Sequence, residues 1–438
     1  MFDRDRSARR SAEPVLEPTY ESPDGGFCVR ELRRRTIRAA ALGITLGAVV
    51  SPVTSAVAGT KATPPAQTAA SPKWQVFDVP VQGSVSLLSV TATGRDDAWA
   101  GGLLVNPRRP PSSPQTPGFR RLAEDPSDDT CNFAKGMFTS VMLHWDGRSW
   151  QPTPVPQVAR INFLSASSPK DAWASSDCGL LHWDGQKWTS IPYAPVPVQQ
   201  VSTGAIKAVS AKEAWLAGST YDNTTQAMGG FVQRWDGRRW RNVPLPDLGD
   251  DFSLDGIDAR GPRDVWAVGT DYTGNDAHPE RLLLLHWNGR TWKRLPEPAT
   301  AESTQRLTRV RMVTGNDVWV SGWSKTTPGG EAIRHPLLLH WNGRKWAGAK
   351  VPDERGELMD VAVSGGQALA VGDTVTPSEP DYTMYALRQA AHGWRTESVP
   401  VAGRASLTGL APIPGGGMWS VGATGDDPDM GPVIARWN

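Results

Sequence analysis

The chain is short of cysteine, with 3 in 438 residues, and has only 6 Tyr and 9 Phe. A cysteine-dense miniature scaffold is therefore excluded. Neither sign of charge is in excess, since 46 basic residues meet 45 acidic ones for a net charge of +1. Without a basic surface to displace counterions from phosphates, nucleic acid is not an expected partner. Catalytic signatures are missing too: there is no Gly-x-Ser-x-Gly elbow, Walker loop, His-Glu-x-x-His or Cys-x-x-Cys. The acids near the C-terminus do not form a spaced calcium loop, so neither a metal nor a cofactor is expected. Against these shortages stand 20 Trp, a number that needs a cause.

One long uncharged run exists, Ala39 to Gly59, preceded by Arg33, Arg34, Arg35 and Arg38 and closing on Ala56-Val57-Ala58. That order of charged, apolar and small-x-small segments is the pattern of a secretory signal, with cleavage expected after Ala58. An uncleaved anchor is the alternative, because the run is long enough to span a bilayer. Residues 1–58 then form a polar extension plus signal, 59–72 a linker and 73–438 the folded part. The protein is expected to be secreted or held at the cell surface, and monomeric. Cys28 leaves with the signal, and Cys131 and Cys178 are expected to pair in the oxidising compartment outside.

The folded part is a repeat. An acid, a small or apolar residue and Trp recur as Asp97-Ala98-Trp99, Asp171-Ala172-Trp173, Glu213-Ala214-Trp215, Asp264-Val265-Trp266 and Asp317-Val318-Trp319. Gln367-Ala368-Leu369 and Gly417-Met418-Trp419 are decayed copies, and successive copies start 42 to 74 residues apart. This spacing suits propeller blades with loops of varying length. Each of the first five copies is followed by Trp-Asp-Gly or Trp-Asn-Gly and a further Trp, as in Trp145-Asp146-Gly147 with Trp150. Asp-Gly or Asn-Gly between apolar runs predicts a tight hairpin with both turn residues at positive φ. The unit therefore reads as four short antiparallel strands: A apolar, B with the acid-x-Trp, C with His-Trp or Arg-Trp, and D with the last Trp. His144, His182, His286 and His340 share one repeated position and read as packing groups on Trp.

Nineteen of the twenty Trp fall on strands B, C and D of this unit, and the exception is Trp323. The chain ends on a strand C, Ile434 to Asn438, while the segment around Trp74 is a strand D without its A to C. Joining them closes a ring and removes two exposed edges. The expected fold is thus all-β, a seven-bladed β-propeller of four-stranded antiparallel blades, with a long insertion at about 103–140 in blade 1. These residues resemble the kelch-type propellers, over about residues 74–438, with the paired glycines seen in full at Gly101-Gly102. The resemblance extends to Trp-rich propellers of exporting bacteria and implies fold rather than activity.

Functional chemistry is expected on the face carrying the B–C loops, because their length varies on a rigid ring. The insertion, pinned by a Cys131–Cys178 bond, should arch over that face. Aromatics unused by the repeat, Tyr221, Tyr272, Trp323 and Tyr382, are expected there in the loops. Beside them lie Asp222, Asp271, Asp381, Asp426 and Asp427. Rings beside carboxylates suit sugar stacking with hydroxyl hydrogen bonds. The expected function is binding of a glycan or a protein; the alternatives are a hydrolase or lyase using loop carboxylates and an extracellular scaffold.

Overall fold

The computed structural model describes residues 74–106, 126–198, 200–249, 251–273, 280–298, 304–326, 333–352, 354–376, 379–426 and 429–438. The expected signal and linker lie outside these residues, as do Asp427 and residues 107–125 of the blade 1 insertion. Strands A to D of blade 1 are Val85–Ala92, Ala98–Val105, Phe138–Trp145 and Trp150–Pro152. Blade 2 has Ile161–Ser168, Asp171–Ser176, Gly179–Trp183 and Trp188–Ile191, and blade 3 has Gln200–Ser210, Glu213–Tyr221, Met228–Trp235 and Trp240–Val243. Blade 4 runs through Phe252–Gly261, Asp264–Asp271, Arg281–Trp287 and Trp292–Arg294. Blade 5 comprises Thr304–Thr314, Asp317–Thr326, Ile333–Trp341 and Trp346–Gly348. Blade 6 comprises Gly356–Ser364, Gln367–Thr376, Glu379–Ala390 and Gly393–Glu397. Blade 7 contributes Ala405–Pro412, Met418–Thr424 and Gly431–Trp437, and takes Trp74–Phe77 as its strand D. The closing pair is antiparallel, with Trp74 opposite Trp437 and Phe77 opposite Ile434. The seven sheets make a seven-bladed β-propeller.

Tryptophan holds most of the ring together by one rule. At five of the seven joints the strand B Trp of a blade inserts between the strand C and D Trp of the next; at the joint of blades 5 and 6 Trp319 meets Trp394 of strand D, and blade 6 carries Leu369 where the other blades have the strand B Trp. Trp99 meets Trp183 and Trp188 at 4.9 and 5.2 Å, and Trp173 meets Trp235 and Trp240 at 5.0 Å each. Across the closure Trp419 meets Trp145 and Trp150, both at 5.1 Å. Each such ring removes ~150–250 Å² from water, or ~4–6 kcal/mol gross at about 25 cal/mol per Å². Its other side is covered by its own strand C. The His144, His182, His286 and His340 rings lie 4.2, 4.3, 4.6 and 4.0 Å from Trp99, Trp173, Trp266 and Trp319.

The acid two residues before Trp now has a reason. Nε2 of each of these histidines lies 2.8 Å from Asp97, Asp171, Asp264 or Asp317. In blade 3 the pair is exchanged as a unit: Glu213 lies 3.4 Å from Arg234, whose guanidinium covers Trp215 at 5.6 Å. The glycine three residues after Trp is explained by a bulge in strand A. A Cβ on Gly269 would stand 1.9 Å from the Ser253 carbonyl oxygen, and one on Gly322 2.0 Å from that of Arg306. Only glycine lets the two backbones come so close.

The C–D turn differs from the expected form. Gly147, Gly185, Gly237, Gly289 and Gly343 have φ between 87° and 95°, while no Asp or Asn is among the positive-φ residues described. The Asp or Asn instead accepts two backbone N–H bonds, as Asp146 does from Arg148 at 2.8 Å and Ser149 at 2.9 Å. It is a side-chain-capped turn, which selects Asp or Asn for the acceptor oxygen rather than for left-handed backbone.

Candidate functional site

Every inner strand breaks its pairing at one common place, and those of blades 2 to 5 break it again near the A–B turn. The common register shifts fall between Leu87 and Ser89, Ile161 and Phe163, Thr203 and Ile206, Leu254 and Gly256, Leu307 and Arg309, Leu358 and Asp360, and Leu407 and Gly409. A bulge leaves one residue unpaired and re-aims it. One residue released in each blade, Leu88, Asn162, Gly204, Asp255, Thr308, Met359 and Thr408, lines a single cavity of about 450 Å³. It occupies the ring's central channel, and Trp323, Arg306, Phe163 and Arg309 also line it.

Trp323 stands at the wall of this cavity, half-buried. It is opposite Arg306 in the A–B pairing, with the Arg306 guanidinium 5.8 Å and the Arg334 guanidinium 4.6 Å from its ring. Arg306 is shared with Tyr272, 5.6 Å away. Tyr272, Arg306, Trp323 and Arg334 thus alternate ring and cation along blades 4 and 5, a favourable contact at each step. Acids hold the cations in place: Glu280 lies 2.8 Å from Arg306, and Glu357 2.8 Å from Arg334. Burial pushes the Asp255 carboxyl up to about 6, against the Ser253 hydroxyl and the Arg306 charge. Burial and Glu357 likewise raise Asp373 to about 6.

On the opposite side the insertion ends in a helix, Pro126–Met137. Cys131 of this helix is bonded to Cys178 in the B–C turn of blade 2. The helix C-terminus is held by Asn106, whose amide donates to Lys135 O at 3.1 Å, and the helix reaches strand A of blade 3. Next to Cys178, Asp177 takes Arg160 at 2.8 Å and the Asn162 amide at 3.0 Å. The disulfide-bearing turn is thereby tied to a wall of the cavity.

The expected site residues do not converge on one pocket. Trp323 lines the cavity and Tyr272 touches its wall through Arg306, but the others go elsewhere. Tyr221 is the last residue of strand B in blade 3, pairing with Gln200 and Met228. Asp222 accepts N–H bonds from Thr224 at 2.7 Å and Thr225 at 3.3 Å, which hold its carboxyl below the usual range. Asp271 is buried, bonded to Thr273 and, at 2.6 Å, to Arg294. Burial raises its pKa, yet these bonds prevail and keep it low. Tyr382 donates to Asp426 beneath Arg404, 5.2 Å from the ring, and Arg404 also pairs with Asp426. That makes a separate cluster between blades 6 and 7. Asp381 is in strand C of blade 6, its side chain outside the description, and Asp427 lies outside the described residues.

The positions also differ from loops: Tyr221 and Trp323 are on strand B and Tyr382 is on strand C. In blades 5 and 6 these strands extend past the point where the repeat ends. Asp255, Arg306, Arg309 and Arg334 were not expected. A signal for Asp255 and Arg309 was present, because apolar residues three apart, as in Leu254-Asp255-Gly256-Ile257 and Leu307-Thr308-Arg309-Val310, break the alternation of a strand and mark a bulge. Among the described residues no group of three or more His, Cys, Asp or Glu could hold a metal ion. No described helix is long and apolar enough to cross a membrane.

No protein-family model and no curated protein sequence matches the chain. Among solved structures it is similar to YCF48 bound to D1 peptide, at 15% identity and a TM-score of 0.49, over 83% of this chain and 96% of that one. It is similar also to YCF48 from Cyanidioschyzon merolae, at 13% identity and 0.47, over 84% and 98%. A Trypanosoma rangeli sialidase in complex with the inhibitor DANA aligns at 8% identity and 0.40, over 81% of this chain and 55% of that chain.

Proposed function

We propose that the protein is an exported binding protein that takes a glycan in the central channel, at the B–C end of the ring. One observation carries this reading: the seven bulged residues and Trp323 line a single cavity of about 450 Å³, within the size range of small-ligand sites. Its wall offers an indole face beside hydroxyl, amide, carboxyl and guanidinium groups, the mixture that a polyhydroxylated ring requires. Export rests on the N-terminal signal pattern and accords with the Cys131–Cys178 bond, which an oxidising compartment maintains. The nearer likeness to kelch-type units is part of the same proposal and rests on the blade motifs.

Binding is favoured over glycan hydrolysis because the usual mechanism needs two carboxyl groups flanking one bond. Among the described residues Asp255 alone brings a carboxyl to the cavity wall. The test is a glycan array probed with the mature chain and with Trp323→Ala. Binding by the first and loss by the second is expected; an array on which the mature chain binds nothing overturns the reading.

A further inference from the structure

We propose that the glycan carries a carboxylate, which seats on Arg309, so that the site selects acidic sugars over neutral ones; this deepens the glycan-binding reading and rests on it. Arg309 follows the bulge of blade 5 and lines the cavity. Its guanidinium lies over the Phe163 ring of blade 2 at 3.9 Å, bridging the axis between blades that are not neighbours. Stacking uses the face of the planar group and leaves its five in-plane N–H donors unused.

Among the described residues these donors make no hydrogen bond, only a long ion pair. The nearest carboxylate oxygen is Oδ2 of Asp360 at 3.9 Å, too far for a hydrogen bond. Asp360 is already occupied by Arg311 at 3.1 and 2.6 Å and by the N–H groups of Val361 and Leu410 at 2.8 and 2.9 Å. Asp258, the other carboxylate near Arg311, is taken by Lys207 at 2.7 Å and by the N–H groups of Ala259 and Met312 at 2.9 and 2.8 Å. Among the described residues Lys207, Arg309 and Arg311 pair with Asp258 and Asp360, three cations against two carboxylates, and one positive charge is left over. Burial lowers the Arg309 pKa to about 10, with Arg311 adding to the effect against Asp360, so the group stays charged at neutral pH.

A buried charge with no hydrogen-bonded partner is costly, and a guanidinium matches a carboxylate through two parallel bonds. The carboxyl of the cavity wall, Asp255, lies in the field of Arg306 rather than of Arg309. A ligand carboxylate on Arg309 completes the charge balance, while the Trp323 indole lines the wall for the rest of the sugar ring; the Thr308 and Thr408 hydroxyls donate to the Leu358 and Leu87 carbonyl oxygens, both at 2.8 Å, and are left as acceptors. An acidic peptide would satisfy Arg309 as well, but it makes less use of an indole face.

The experiment pairs uronate-bearing oligosaccharides with their carboxyl-reduced counterparts on one array, followed by calorimetric titration of the best pair against the mature chain. The acidic member should bind roughly tenfold or more tightly than the neutral one, as loss of a charge-assisted bond implies. Arg309→Gln should abolish the difference and keep neutral binding. Because that change also removes packing on Phe163, Met359→Glu, which adds a like charge to the cavity wall, should abolish it as well. Equal binding of both members overturns the carboxylate proposal and leaves glycan binding standing. Binding of acidic peptides with no glycan bound, or no binding of any probe, overturns both.

Discussion

The spaces between blades and the channel they enclose are built by opposite rules. Between blades, Trp, His and acid recur at fixed positions, so that Trp99, Trp173 and Trp266 make nearly the same contacts one blade apart. In the channel the backbone recurs, with a bulge at the same place in each inner strand, but the residue released is different in almost every blade, from Leu88 to Asn162 to Asp255. Repetition serves closure, which requires joints of similar geometry around the ring. Variation on the same scaffold makes an asymmetric cavity, and recognition of a ligand needs that asymmetry. The two classes of position should therefore respond differently to substitution.

The largest expected effect is at the joints. Trp266→Ala should cost about 3–5 kcal/mol in guanidinium denaturation, because the ring is fully buried against Trp341 and Trp346. Gly322→Ala, which forces a Cβ to 2.0 Å from the Arg306 carbonyl, should cost about 3 kcal/mol through overpacking. If either is tolerated within about 1 kcal/mol, the joints are not what holds the ring.

The two regions were also unequally legible. Blade number, strand order, the closing pair and the Cys131–Cys178 bond could be read because each is local or repeated: a turn, a period, a missing strand, two cysteines in adjacent loops. The histidines' role as packing groups was legible for the same reason, although their Asp partners were not. The channel was largely hidden, since its walls gather residues from seven strands that share no linear motif. Expecting Tyr221, Asp222 and Asp271 beside Trp323 failed because a residue past the end of the repeat has several ways to be satisfied. Asp222 caps a turn and Asp271 binds Arg294, neither of which spacing reveals.

A smaller effect is expected from the staple on the upper face. Cys178→Ser should lower stability by about 2–4 kcal/mol, the bond closing a separation of 47 residues. It lies outside the Trp joints, so the ring should keep its Trp fluorescence while the segment 126–137 becomes open to limited proteolysis. Simultaneous loss of both signals would mean that the upper face and the joints form one cooperative unit.

Asp255 tests the channel against the joints through pH. Its folded pKa is raised to about 6 from 3.8, so the neutral form is the one the fold favours. That contribution is complete below about pH 4 and is lost as pH rises through about 6. Asp255→Asn should therefore leave stability unchanged at pH 4 and increase it by up to about 3 kcal/mol at pH 7.5, seen in urea titrations at both values. A fold that gains nothing at pH 7.5 would show that Arg306 already neutralises the cost of ionising Asp255. A gain here would also say that the channel retains a destabilising carboxyl, as binding sites do when a group serves recognition rather than folding.

The smallest expected change in stability is at the one Trp outside the repeat. Trp323 is half-buried between two arginines, each of which keeps its own acid, Glu280 for Arg306 and Glu357 for Arg334. Removing the ring therefore strands no buried charge, and Trp323→Ala should cost about 1 kcal/mol, well below Trp266→Ala. Glycan affinity should respond in the opposite order, falling roughly tenfold or more for Trp323→Ala in calorimetric titrations. Trp346→Phe, a milder change at a joint far from the cavity wall, should leave affinity unaltered in the folded fraction. If Trp323→Ala instead destabilises as much as Trp266→Ala, the twentieth Trp belongs with the other nineteen, and the contrast between joint and channel disappears.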